Sequence, residues 1–170
     1  MVLTRMALAD FDRLQLRAWS GGRMEQFALA GIWRRAWSAA QGHEAPHIAP
    51  IGHWLARVEA EFVAPAEVHI AERGGQPLAF MVMLPERAYV AQLYVDPHRH
   101  GQGLGRRLLD VACRRMPAGW RLHVATANAA GQRFYERYGL QRGAVDRHPA
   151  TGRERVAFGW RPTGDGATGE

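Results

Sequence analysis

The sequence predicts one α/β domain, a central mixed, mostly antiparallel sheet of about seven strands with helices on both faces. Three observations lead there. The apolar residues switch several times between the 3.6-residue spacing of helices and the alternation of strands. One strand–helix–strand run in the second half calls for a parallel crossover, while the short turns on either side of it call for antiparallel hairpins. The chain has 170 residues, 47% of them hydrophobic, which is enough for one buried core, and it shows no internal repeat or linker.

Residues 1–12 read as a loose extension and 13–161 as the domain. In "DRLQLRAW", Leu14, Leu16 and Ala18 alternate with Arg13, Gln15 and Arg17, a first strand that Ser20, Gly21 and Gly22 break. Met24 to Ala40 contains no proline and is rich in helix formers, so a helix is expected there, with Trp33 and Trp37 on one face. The glycine and two prolines of residues 41–50 make a loop. Ile51, Trp54, Leu55, Val58 and Phe62 form the stripe of a second helix, which Pro65 ends. "EVHIAE" and "PLAFMVML" flank "RGGQ" as a hairpin, and "AYVAQLYV" (88–95) is apolar on both faces, as a central strand would be.

A third helix carries Leu104, Leu108, Leu109, Ala112 and Met116 to its stop at Pro117 and Gly119. "WRLHVAT" is a strand. "NAAGQRFYERY" is a short helix whose core face is expected to carry Ala130, Phe134 and Tyr138, with Gly139 as its C-terminal cap. "LQRGAV" and "RVAFGW" pair as a last hairpin, and 162–170 reads as a disordered tail.

Net charge is +6, which suits an anionic partner: a nucleic acid, a polyphosphate cofactor or an acidic substrate. No basic motif interleaved with aromatics is present, which argues against nucleic acid. No apolar run approaches the roughly 20 residues of a membrane span, and the N-terminus is a poor signal peptide. The single cysteine, Cys113, excludes an internal disulfide and suits a reducing cytoplasm. Its place on an apolar helix face reads as a core thiol rather than a nucleophile.

The stretch "VDPHRHGQGLGRRLLDVA" bears most directly on function. Gly101, Gly103 and Gly105 lie between a strand and a helix, and Arg106 and Arg107 follow. A helix N-terminus presents unpaired N–H groups and partial positive charge, so it attracts phosphate, and bare glycines let a bulky diphosphate reach those amides. A Walker A loop needs Gly-Lys-Ser/Thr, which Gly105-Arg106-Arg107 does not supply. A dinucleotide fingerprint needs a third glycine where Arg106 or Leu108 stands. A merely tight turn would need one or two glycines. The pattern reads as a pyrophosphate cradle.

"LYVDPHRHGQGLGRRLL" resembles the signature of the GNAT N-acetyltransferase superfamily, Gln/Arg-x-x-Gly-x-Gly/Ala behind a Leu-x-Val strand. About 30 residues on, "LHVATANAAGQRFYERYGL" is similar to the family's second segment: a strand, an Asn, then Phe-Tyr-x-x-x-Gly-Phe/Leu. The resemblance in element order runs from about Leu14 to Trp160. It implies acetyl-CoA as co-substrate without a metal, direct transfer to a small-molecule or peptide amine, and a monomer or homodimer. The pantetheine arm would lie along Leu93, Tyr94 and Val95, with the Val95 N–H polarising the thioester carbonyl. The pyrophosphate would rest on His100, Gly101, Gln102, Gly103, Leu104, Gly105 and Arg106. Asn128 would help hold the pantetheine arm, besides its ordinary part as a helix N-cap. Tyr135 would be general acid toward the departing thiolate, or else a core aromatic.

Two departures from the family pattern stand out. His100 replaces the opening Gln/Arg, so unless Arg99 or Arg106 compensates, cofactor affinity should rise as pH falls. Ala91 and Gln92 stand where many relatives carry a carboxylate, which leaves Glu86, His123 or water through a channel as candidate bases. Gly131, where an alanine is usual, should weaken its helix slightly. His43, His47 and His53, with Glu44, raise the possibility of a metal, but Pro46 argues against a helix that would converge the first pair. Their loop, with Trp33 and Trp37, falls where the resemblance places the acceptor. Three readings remain open: an N-acetyltransferase, an acyl-CoA-binding module without catalysis, and an acetyltransferase acting on a protein N-terminus or charged tRNA.

Overall fold

The computed structural model describes residues 13–41 and 48–163. The proposed extension, the greater part of the tail, and His43, Glu44 and His47 lie outside the described residues. In chain order the elements are β1 (Gln15–Ala18), α1 (Arg23–Gln41), α2 (Ile51–Glu61), β2 (Glu67–Arg73), β3 (Gln76–Leu84), β4 (Tyr89–Val95), α3 (Leu104–Arg115), β5 (Trp120–Ala125), α4 (Ala129–Tyr138), β6 (Gln141–Arg147) and β7 (Glu154–Trp160). Short 3-10 turns at Pro85–Arg87 and Pro97–Arg99 flank β4.

The strands form one sheet in the order β1-β2-β3-β4-β5-β7-β6. The β4–β5 pair is parallel and the other five are antiparallel. This is the mixed architecture the element order predicts. Strand β3 shows why the sheet needs helices on both faces. Leu78 through Met83 are all buried; Ala79, Met81 and Met83 join the core under α3, while Phe80 and Val82 join the core under α1 and α2. The α3 side also takes Leu104, Leu108, Leu109, Phe158 and Val156. The opposite side takes Leu29, Ile32 and Trp33 of α1 with Trp54 and Val58 of α2. Cutting back a fully buried ring such as Phe80 to alanine costs about 3–5 kcal/mol, so these layers hold the strands firmly in place.

The sheet departs from regularity at its centre. Val82 pairs with Gln92 but Met83 pairs with Val90, so Ala91 is the extra residue of a bulge in β4. On the other edge of β4 only Tyr89 is in register with β5, opposite Arg121, where the Arg121 N–H donates to the Ala88 carbonyl at 3.0 Å. Beyond that pair β4 and β5 separate. β5 satisfies its far edge by pairing with β7 over six residues, Trp120–Ala125, so it does not depend on β4. A wedge therefore opens through the middle of the sheet.

Candidate functional site

The wedge is a cleft of about 770 Å³, within the range of small-ligand sites. One wall is β4 from Val90 to Val95 and the other is β5 from Leu122 to Ala125, with the start of α3 across the top. The Asp96 N–H donates to the Leu78 carbonyl at 2.9 Å, so Asp96 points its main-chain groups toward β3. By the alternation of a strand Tyr94 does the same, while Leu93 and Val95 present theirs to the cleft. Two residues of β4 thus offer an unpaired strand edge. The Tyr94 ring packs with Trp33 (5.7 Å between centroids) and Phe80 (5.8 Å), so Tyr94 borders the site as part of its floor, with its main-chain groups turned to β3.

The glycine turn caps the cleft. Gly101 and Gly103 have φ of 78° and 74°, the left-handed region that side-chain-bearing residues avoid, and a Cβ on either would meet nothing within 4 Å. Gly103 is the N-cap of α3, and its carbonyl accepts from the Arg107 N–H at 3.1 Å. The N–H groups of Leu104, Gly105 and Arg106 at the first turn of α3 have no carbonyl of their own helix to reach and face the open space above the two glycines. The Leu104 side chain is buried in the core, so that residue contributes its amide alone.

Gly105 has a different reason to be glycine. Its Cβ would lie 2.9 Å from the Phe134 ring, so this glycine lets α3 approach α4 and is a packing position. His100 and Arg106 also line the cleft, as do Arg99 and Arg137; Gln102 does not, and it is exposed. Arg137 carried no motif in the sequence; only the folded helix brings it to the mouth of the cleft.

Asn128 lines the cleft and caps α4, its Oδ1 accepting from the Gly131 N–H at 2.9 Å. A Cβ on Gly131 would meet the Asn128 amide at 2.6 Å, so this glycine belongs with the cap. The helix turns otherwise than expected: Ala130 is exposed on the cleft side, and Phe134, Tyr135 and Tyr138 face inward. Strict fourfold spacing misplaced the face because Phe134 docks on Gly105 and Tyr135 on Phe158, which rotates the helix toward α3. Tyr135 is therefore a core aromatic and a cleft residue together. Its ring packs against Phe134 (5.1 Å) and Phe158 (6.0 Å), and burial, with the Tyr94 hydroxyl nearby, holds its own hydroxyl well above the usual tyrosine range. It keeps its proton at neutral pH.

Of the two side chains considered as bases, His123 lines the cleft and Glu86 does not. The His123 Nδ1 lies 3.0 Å from the Tyr89 hydroxyl, and its Nε2 lies 3.7 Å from the Asp146 carboxylate. Burial and the neighbouring Arg155 lower its pKa below the usual histidine value, with Asp146 opposing, so the ring is neutral near pH 7. Gln92 donates to Glu61 at 2.9 Å, and Glu61 is also held by Arg57, so that carboxylate is already engaged. The two tryptophans divide: Trp33 is fully buried, whereas Trp37 lines the cleft. Cys113 lies outside the cleft, its Sγ 3.4 Å from the Tyr138 hydroxyl, which donates to Asp110 at 2.6 Å. Among the described residues no cluster of ligands for a metal occurs.

Comparison with known proteins agrees with this geometry. Residues 64–142, from just before β2 to the start of β6, match the family model "Acetyltransferase (GNAT) domain". No curated protein sequence is a significant match. Among solved structures, apo YjaB from Escherichia coli superposes with a TM-score of 0.70 at 19% identity, covering 86% of this chain and 97% of that one. The PaiA N-acetyltransferase of Thermoplasma acidophilum, in complex with coenzyme A, gives 0.65 at 18% identity over 85% and 98%. The ribosomal-protein-S18-alanine N-acetyltransferase of Escherichia coli gives 0.62 at 18% over 93% and 99%. Residues 64–142 thus match a GNAT acetyltransferase domain, and the chain carries the fold that these solved proteins share.

Proposed function

We propose that the protein transfers an acetyl group from acetyl-CoA directly to a primary amine. The observation that carries this reading is the cleft itself: a free β4 edge, an open helix N-terminus over two left-handed glycines, and a protonated tyrosine all face one volume. These residues fit acetyl-CoA. The α3 amides and Arg106 suit its pyrophosphate, with Arg99 and Arg137 at hand where His100 replaces the family's Gln/Arg. Leu93 and Val95 offer main-chain partners for an amide-bearing arm, as an added strand would use them. Asn128 borders the same space, although its Oδ1 already serves the helix cap.

Acetyl-CoA, when bound, supplies an activated acyl carbonyl and a thiol leaving group. The Val95 N–H stabilises negative charge on the carbonyl oxygen. His123, neutral and on the cleft wall, takes a proton from the incoming ammonium, and Tyr135 gives one to sulfur. The amine forms a C–N bond as the C–S bond breaks, and a net proton leaves to solvent. No enzyme nucleophile is needed, which accords with Cys113 lying outside the cleft. A cytoplasmic setting suits both the donor and the lone thiol.

The deciding experiment measures thiol release from acetyl-CoA across amine classes, including peptides with free N-termini. Release that depends on an amine supports the reading. The absence of a carboxylate at Ala91 and Gln92 favours the rival, a module that only binds acyl-CoA. Tight acetyl-CoA binding with no acceptor-dependent release from any amine would establish that rival.

A further inference from the structure

The cleft passes through the sheet, and its two faces differ. The glycine turn, Phe134 and Tyr135 belong with the α3 side, while Trp37 of α1 and His123 open on the other. Leu122, Val124, Val156 and Phe158 point into the core under α3, so Arg121, His123 and Arg155 project to the opposite face by strand alternation, and Arg153, two residues before Arg155, falls on the same side. Helices α1 and α2 pack over β2, β3 and β4, and no residue of β5, β6 or β7 joins their core. That half of the face is left open beside the cleft.

Its charges are unevenly satisfied. Arg155 holds Asp146 through Nε at 2.6 Å and Nη2 at 3.3 Å, Arg147 holds Glu154, and Arg57 holds Glu61. Arg121 and Arg153 meet no carboxylate among the described residues. Arg153 instead lies over the Trp37 ring, 5.5 Å from its centroid. The contact joins the β6–β7 turn to α1 across the cleft, and the turn is braced by His148, whose Nδ1 accepts from the N–H groups of Ala150 and Thr151.

Resting on the acetyl-transfer reading, we propose that the acceptor is an amine that also carries an anionic group, held by Arg121 or Arg153 on this face. Two physical consequences follow. Guanidiniums that meet no carboxylate give a carboxylate or phosphate a charge-assisted contact, and they repel an acceptor with a second ammonium. The same positive field disfavours the ammonium form of the reacting amine. It thereby eases the deprotonation that His123 must complete without a carboxylate from β4.

The test uses three amines of one chain length, 6-aminohexanoate, 6-aminohexanamide and 1,6-diaminohexane, titrated into the CoA-saturated protein by NMR, since charge complementarity should separate them. The amino acid should bind about fivefold or more tighter than either of the others, at the upper end of an exposed charge contact. The preference should shrink below about twofold in the Arg121→Gln/Arg153→Gln double variant, whose exposed side chains leave the core untouched. Equal affinities, a preference for the diamine, a preference that survives both substitutions, or no binding of the amino acid would overturn the proposal. Thiol release with the same amines separates the two claims. A binding preference without release sinks acetyl transfer alone, and release fastest with the diamine sinks the anionic acceptor alone.

Discussion

Replacing Tyr135 by phenylalanine removes one hydroxyl and nothing else from the cleft wall. The ring keeps its contacts with Phe134 and Phe158, and no hydrogen bond contributes to the hydroxyl's raised pKa. Stability should therefore change by less than about 1 kcal/mol, because a hydroxyl without a protein partner adds little to folding. Catalysis is another matter. General acid assistance is typically worth about 10²–10⁴-fold, or about 2.7–5.5 kcal/mol of barrier at 1.36 kcal/mol per decade. The lower end is expected, since a thiolate with a pKa near ~8.5 leaves tolerably well unaided. Rapid-quench single turnover with an amine acceptor would isolate the step, and calorimetry would report acetyl-CoA affinity, which should stay within about threefold of wild type. The raised pKa sharpens the test: an ordinary tyrosine would lose its proton near pH ~10, but wild-type activity should show no loss from this group up to that pH. A Tyr135→Phe protein that folds, binds acetyl-CoA and turns over the single step at the wild-type rate would show that the hydroxyl is not the acid.

Other substitutions test the remaining parts. Gly103→Ala should cost about 1–2 kcal/mol of stability for a left-handed backbone and cut acetyl-CoA affinity at least about tenfold, because its Cβ would enter the open space proposed for the pyrophosphate; unchanged affinity in the folded variant, measured by calorimetry, would refute the cradle. Gly131→Ala should fail to raise the melting temperature despite a helix-propensity gain of about 1 kcal/mol, since its Cβ displaces the Asn128 cap worth a similar amount. His69 and His123 both have pKa values lowered chiefly by burial, so as pH falls through ~6.5 the unfolded chain takes up protons before the folded one. Stability should accordingly drop on that side and not above it. The acid limb of kcat/KM should lie below ~6.5 and vanish in His123→Gln, and an acid limb unmoved by that substitution would remove His123 as base.

What was legible from sequence was what local pattern decides. The eleven regular elements and their order follow from hydrophobic period and turn residues. The glycine turn was legible too, because a left-handed backbone narrows the choice of residue at Gly101 and Gly103. What escaped was decided by pairing across the sheet. Nothing in "AYVAQLYV" marks Ala91 as a bulge, since a bulge is defined by two residues facing one on another strand. The outward turn of Ala130 escaped likewise, because Gly105 gives Phe134 a seat that helical spacing does not know about. Trp33 and Trp37 look equivalent on a helical wheel, yet one closes a core against Phe80 and the other meets Arg153 across the cleft. The site itself is an absence of pairing. β4 is occupied by β3 on one edge and β5 by β7 on its far edge, so each strand is anchored without the other and beyond Tyr89 nothing holds them together. The edge left open on β4 would be a liability in most sheets. Here it faces a walled cleft rather than bulk solvent, where, on the proposed reading, it would serve a ligand that can pair with backbone.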